Sequence, residues 1–194
     1  MKKLRRGSVF CTLLFAVWSF IPSAHGAMVA QMNLEQMVTQ SERIFLGTVI
    51  DVSEIRVSVG GGELPAVTYK IRVNDDFKGE FETVKGVKIA EVTMIGSLKN
   101  LADGHHPIAG FPMLKVGEEY LLMVAEPGPT GLTSTMGLGQ GCFSFLGKGD
   151  DKLAINGANN VGLFRGMPQA VPDGKPVPYT DLSNMIDDIA GGAE

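Results

Sequence analysis

Cysteine is almost missing from this chain: Cys11 and Cys142 are the only two among 194 residues. If the N-terminal stretch holding Cys11 is removed, Cys142 stands alone. A lone thiol excludes an intramolecular disulfide, so a core must hold the fold even in a compartment that permits disulfides. Long apolar runs are missing too. The longest, Val9 to Pro22, falls short of the roughly 20 residues a helix needs to cross a bilayer. Common catalytic signatures are also lacking: there is no Gly-x-Ser-x-Gly elbow, no His-Glu-x-x-His helix and no dinucleotide fingerprint. That removes the hydrolase and oxidoreductase classes that announce themselves by motif. Internal repeats and low-complexity tracts do not occur.

The N-terminus, by contrast, carries a clear pattern. Lys2, Lys3, Arg5 and Arg6 precede the apolar stretch, and Ser23-Ala24-His25-Gly26-Ala27 follows it. Basic, apolar and small-residue regions in this order make a secretory signal peptide, predicted over residues 1–26. Ala24 and Gly26 occupy the small-residue positions before the preferred cut, with cuts after Ala27 or Ala30 as alternatives. Most of the apolar region lies after Cys11, whereas a lipidated cysteine would come after the apolar region, so Cys11 reads as filler. The expected product is secreted or periplasmic, without a stable membrane anchor. Cleavage would leave 168 residues, one domain by size. Losing four of the 17 basic residues leaves 13 against 21 acidic ones, a net of about −8. That balance argues against nucleic acid and against anionic lipid surfaces as partners.

In the remaining 27–194, Asn33 is placed to cap a helix through Glu42, with Leu34, Met37 and Val38 on one face. Residues 43–52 accumulate β-branched side chains and read as a strand buried at its start, with Gly47 at a bulge. Gly60-Gly61-Gly62 turns the chain. Val67, Tyr69, Ile71 and Val73 then alternate with polar residues, the clearest strand signal present. Asp75 to Gly79 is expected to turn into a third strand over Gly86–Met94, pairing antiparallel with the second. Residues 95–115 lack periodicity, and a loop of that length is the first place to look for a site. Glu118 to Ala125 reads as a central strand buried on both faces, with a short strand expected at Leu132 to Met136. Cys142–Leu146 and Lys152–Ile155 form a hairpin across Gly147-Lys148-Gly149-Asp150, and Asn156-Gly157 turns again. A proline-rich connector over 167–178 leads to a helix over 180–190, capped by Thr180, with Leu182, Met185, Ile186 and Ile189 inward. Six or seven strands between two helices predict a mainly β fold. A closed or partly open antiparallel barrel over about 43–165 is the first choice, and a β-sandwich the alternative.

Sites are sparse. Asp103, His105 and His106 are the metal-site candidates, since imidazole with carboxylate suits a transition metal; side chains of neighbouring residues diverge in extended backbone, which favours a solvated loop. Cys142 as a nucleophile lacks a recognisable base and oxyanion donor, and a packed thiol is the simpler reading. The pairs Asp75-Asp76, Glu118-Glu119 and Asp150-Asp151 lack the alternate spacing of an EF-hand. Gly137, Gly139 and Gly141 precede a strand rather than a helix, so they shape a barrel corner instead of cradling phosphate.

Three segments together carry a resemblance: Ser41-Glu42-Arg43-Ile44-Phe45-Leu46-Gly47-Thr48-Val49, Tyr69-Lys70-Ile71-Arg72-Val73 through Phe77-Lys78-Gly79, and Val116-Gly117-Glu118-Glu119-Tyr120-Leu121-Leu122. They resemble uncharacterised exported bacterial proteins whose β domain is similar to the OB-type barrel of tissue inhibitors of metalloproteinases and netrin modules. The resemblance spans roughly 34–165 and implies an OB-like, TIMP-like barrel. The animal inhibitors chelate their target's zinc through an N-terminal cysteine and brace the barrel with disulfides. A start near Ala27 and a lone Cys142 match neither point, so that mechanism does not carry over. The expectation is therefore a non-catalytic binding module of the cell envelope or medium, needing no cofactor. It would hold a protein or envelope component on the barrel face and the loop from Ile95 to Leu114. The competing reading is a metal-assisted or thiol-dependent enzyme using the 103–106 loop.

Overall fold

The structure, a computed structural model, describes residues 29–105, 109–168 and 172–192. The predicted leader over residues 1–26 lies outside them, as does His106. Helix α1, Leu34–Gln40, starts with reciprocal caps: Gln36 N–H donates to the Asn33 side chain, and Asn33 N–H donates to the Gln36 side chain, at 2.8 and 3.0 Å. Leu34, Met37 and Val38 are its buried residues. It ends two residues short of Glu42, because Ser41 turns extended while its hydroxyl and its N–H both donate to Met37 O.

Strands β1 (Arg43–Val59) and β2 (Gly62–Lys78) then make a hairpin of 17 residues a side. Its turn, Gly60-Gly61, has φ of +60° and +82°, the left-handed pair that a two-residue hairpin turn requires. Two expectations are corrected here. The first strand runs on past Val52, because Ile55, Val57 and Val59 continue the alternation opposite Ala66, Leu64 and Gly62. Asp75 to Lys78 is strand rather than turn, since Leu46, Phe45 and Ile44 pair with Asp75, Asp76 and Lys78; the partner strand overrides the local turn preference. Gly47 does mark a register shift, and a Cβ there would lie 2.5 Å from Ile71 Cγ2 and 2.9 Å from Arg72 O.

The chain continues through β3 (Glu82–Val84), β4 (Val87–Ile95), a short helix α2 (Leu98–Ala102), β5 (Glu119–Val124), β6 (Cys142–Leu146), β7 (Leu153–Asn156), β8 (Val177–Pro178) and α3 (Tyr179–Gly191). All eight strands join one antiparallel sheet in the order β3-β4-β2-β1-β5-β6-β7-β8. The two short strands β3 and β8 bring the count above the six or seven expected. Thr180 lies inside the first turn of α3, with Pro178 at the cap position and no side-chain cap bond. The helix is fixed instead by the ladder before it, where Val177 pairs with Ala154 and Tyr179 N–H donates to Lys152 O at 2.9 Å.

Two cores lie on opposite faces of this sheet. On one face α1 and α3 press Leu34, Met37, Leu182 and Ile186 against Ile44, Leu46, Leu121, Met123 and Phe143. The other face gathers Phe45, Val49, Val67, Tyr69, Ile71, Val92, Met94, Leu122 and Val124, with Leu114 from the long loop. Neighbouring residues of β1 and β5 thus point into different cores, and β5 is buried on both faces as its sequence predicts. The sheet is unclosed, but it must curl. Thr133 N–H donates to Thr93 O in β4 while Ala125 N–H, at the end of β5, donates to Ser134 O, at 2.8 and 3.0 Å. One segment can bond both strands only if β4 and β5, separated by β2 and β1, are brought round to face each other. The expected strand at Leu132–Met136 is this crossing, with a single Thr135–Val124 bridge. The fold is mainly β with a helix toward each end, in one sheet rather than the two of a sandwich.

Candidate binding groove

The long loop after β4 returns to the body at Gly110, and there three glycine backbones meet. Gly139 N–H donates to Gly110 O at 2.7 Å, and Gly157 N–H donates to Gly139 O at 2.8 Å. A Cβ on Gly157 would stand 2.9 Å from Gly139 O, and one on Gly139 would stand 3.1 Å from Gly110 O. Side chains are therefore excluded from this junction, and its floor is peptide backbone. Gly141 is equally constrained, its Cβ position lying 2.7 and 2.8 Å from Met136 N and O. Gly139 and Gly141 thus serve close backbone approach at the entry to β6, while Gly137 takes a left-handed φ of +51° beside the Gln140 side chain. A short 3-10 turn, Leu138–Gly141, precedes that strand.

Two open depressions share Gly110, Gly139 and Gly157. The first, about 360 Å³, is bounded by Phe111, Pro112, Met113, Tyr120, Cys142, Ser144 and Asn156. The second, about 400 Å³, is bounded by Val29, Gln31, Leu138, Gln140, Ala158 and Val161. Together they form a groove with apolar walls and exposed peptide groups beneath, the mixture usual in ligand sites.

Three amide side chains hold the groove in shape. Gln140 accepts from Met32 N–H at 2.9 Å and donates to Ala30 O and Gly137 O. Asn156 donates to Gln140 O and accepts from the N–H groups of Ala158 and Asn160. Asn160 accepts from Asn156 N–H and donates to Ala154 O and Lys175 O. All three are buried, and among the described residues no buried side-chain nitrogen or oxygen lacks a partner. Sequence reasoning missed them. The available signal was the run Asn156-Gly157-Ala158-Asn159-Asn160, because Asn159 and Asn160 take φ of +55° and +58°, a conformation asparagine tolerates better than most residues.

Cys142 borders the groove but is buried, and burial pushes its thiol up to about 12. A nucleophilic cysteine needs the opposite shift. Tyr120 lines the same side, and Tyr69 packs with it and Cys142 in the core behind. Tyr69 is pushed up to about 12, chiefly by burial; Tyr120, raised by the same cause, accepts from Lys115 N–H at 3.2 Å and anchors the end of the loop.

Two of the metal-site candidates, Asp103 and His105, sit elsewhere. Asp103 follows α2 and is exposed, and so is His105, whose N–H donates to Asn100 O at 2.8 Å. His106 lies outside the described residues, among which no three His, Cys, Asp or Glu residues are grouped to hold a metal ion. Of the acidic residues in pairs, Asp75, Asp76 and Glu119 are engaged in side-chain contacts within the chain. Lys88 Nζ meets both oxygens of Asp76 at 2.7 and 2.8 Å, and Tyr179 donates to Asp75 at 3.3 Å. Glu119 receives Lys152 Nζ on one oxygen and Asn74 Nδ2 on the other, both at 2.8 Å. That lysine also stands 4.6 and 4.1 Å from the ring centroids of Phe145 and Tyr179.

Comparison with family models and with curated proteins returns no match for this chain. The groove must therefore be interpreted by its own chemistry. At its glycine junction the named backbone groups bond one another, its walls are largely apolar, and burial keeps its one thiol protonated.

Proposed function

We propose that this protein is an exported, non-catalytic binding module of the bacterial envelope or medium, and that it engages a protein or envelope component at the glycine-floored groove. The observation that carries the reading is the junction of Gly110, Gly139 and Gly157. Close backbone contact there is kept free of side chains and braced by buried amides, an investment in shape without a catalytic set beside it. Export rests on the leader pattern at residues 1–26, and the OB-like, TIMP-like comparison is consistent with a curled β body used for recognition.

Val161 provides the test, because it borders the groove and is 48% exposed. Val161→Lys should fold normally and yet recover much less of a saturable partner than wild type when each is used to capture from periplasm and culture medium. Equal recovery by the two proteins, or no saturable partner under several conditions, would refute the proposal. Metal content and thiol reactivity of the purified protein address the enzymatic alternative: a stoichiometric bound metal or a fast-reacting Cys142 would favour it.

A further inference from the structure

Strand β1 outruns its neighbour. Pairing with β5 stops at Thr48–Glu119, and the last backbone bonds on that side join Val49 to Gly117 and Glu118. From there to Val59, β1 is paired on one side only, by β2, and among the described residues no other backbone group bonds its free edge. Ser53, Glu54, Ile55, Arg56, Ser58 and Val59 are all exposed.

The hairpin fixes which groups face outward. Across a two-residue turn the closing pair, Val59–Gly62, is hydrogen-bonded, and bonded pairs alternate from there. Val57, Ile55 and Ser53 thus turn their peptide groups to β2. Val52, Glu54, Arg56 and Ser58 turn theirs away. The far side of the hairpin agrees: Pro65, opposite Arg56, directs its carbonyl outward and accepts from Gly96 N–H at 3.1 Å.

We propose that this edge pairs antiparallel with the same edge of a second copy, about a two-fold axis at Ile55. That register joins outward groups to outward groups, about eight backbone hydrogen bonds in all. It sets Glu54 opposite the partner's Arg56 and Arg56 opposite the partner's Glu54, with Ile55 against the partner's Ile55. Shifting the axis to Glu54 or to Arg56 would place like charges face to face, which is unfavourable for directly opposed residues. Charge complementarity therefore selects both the occupant and the register. Arg56 has no hydrogen-bond or ion-pair partner among the described residues, and Glu54 spends one oxygen on Leu98 N–H at 2.8 Å, leaving the other free. An exposed strand edge is a template for pairing unless something blocks it, and a two-fold contact uses the same patch twice.

The test is sedimentation velocity of the full chain, expressed and purified as the cell processes it, from micromolar to several hundred micromolar. A concentration-dependent dimer is expected. Glu54→Arg and Arg56→Glu should each weaken it about tenfold, and the double exchange E54R/R56E should restore it. Ser58→Pro, which removes an outward N–H not used within the chain, should weaken it while circular dichroism stays unchanged. A monomer at every concentration overturns the proposal. So does a dimer indifferent to the single exchanges, or one that the double exchange fails to restore.

Discussion

Asn160 is the residue whose replacement tests the buried amide network most sharply. It is 1% exposed, and Asn160→Ala would strand Asn156 N–H, Ala154 O and Lys175 O. A buried group left without its partner costs about 1–3 kcal/mol. The two carbonyls keep a second lone pair and lose only the low-end net worth of a hydrogen bond, about 0.5 kcal/mol each, so the three together cost about 2–4 kcal/mol. Alanine must also adopt the φ of +58°, adding about 1 kcal/mol. The total of about 3–5 kcal/mol, divided by a urea dependence of about 2 kcal/mol per molar, moves the unfolding midpoint down by about 1.5–2.5 M. Asn160→Gly separates the two contributions, because glycine accepts the backbone angle but forms none of the bonds; it should cost about 1 kcal/mol less than alanine. Asn160→Asp keeps an acceptor for Asn156 N–H but sets a second carboxylate oxygen against two carbonyls. The fold then favours the protonated acid, so this variant should regain stability as pH falls from 7 toward 4. Variants within about 1 kcal/mol of wild type, or a glycine variant no better than the alanine one, would refute the reasoning.

Three further outcomes are expected. All three tyrosines, Tyr69, Tyr120 and Tyr179, titrate late because burial is the largest influence on each. The unfolded chain therefore loses their protons first, and stability holds below about pH 9 but declines as pH rises through 10 toward 12; tyrosinate absorbance at 295 nm should climb only with loss of structure, and free titration near pH 10 would contradict the burial. Cys142, pushed up to about 12, should resist iodoacetamide at pH 8 and react at once in 6 M guanidinium; equal rates in the two states would show an open thiol. Gly157→Ala drives a methyl to within 2.9 Å of Gly139 O, so thermal unfolding should move down by an amount equivalent to about 1–3 kcal/mol; an unchanged midpoint would mean that the glycine junction yields without cost.

Sequence periodicity disclosed the elements whose surroundings are regular. The alternation at Val67–Val73 and the stripe of α1 each have a buried and a wet side, and the doubly apolar β5 has two buried ones. What stayed illegible depended on partners far along the chain. Asp75–Lys78 is strand only because β1 lies beside it. The 132–136 segment crosses between β4 and β5 only because the sheet curls. The groove followed the same rule. The unpatterned loop after β4 borders the candidate groove at Gly110, Phe111, Pro112 and Met113, and Asp103 and His105 are not among the residues around it. Gln140, Asn156 and Asn160 carry no motif, since an amide's role inside a fold is set by which carbonyls happen to surround it.

The docking of the chain's first described residues bears on when the fold can be completed. Gln31 donates to Val161 O, Met32 N–H to Gln140, the Asn33 side chain to Arg165 O and Leu34 N–H to Leu163 O. Each bond joins positions more than 100 residues apart, so loop closure comes before any of its reward. A chain emerging N-terminus first cannot seat α1 until its last third has been made. Its helix-covered core therefore stays open until the segments holding Gln140, Val161, Leu163 and Arg165 have been made.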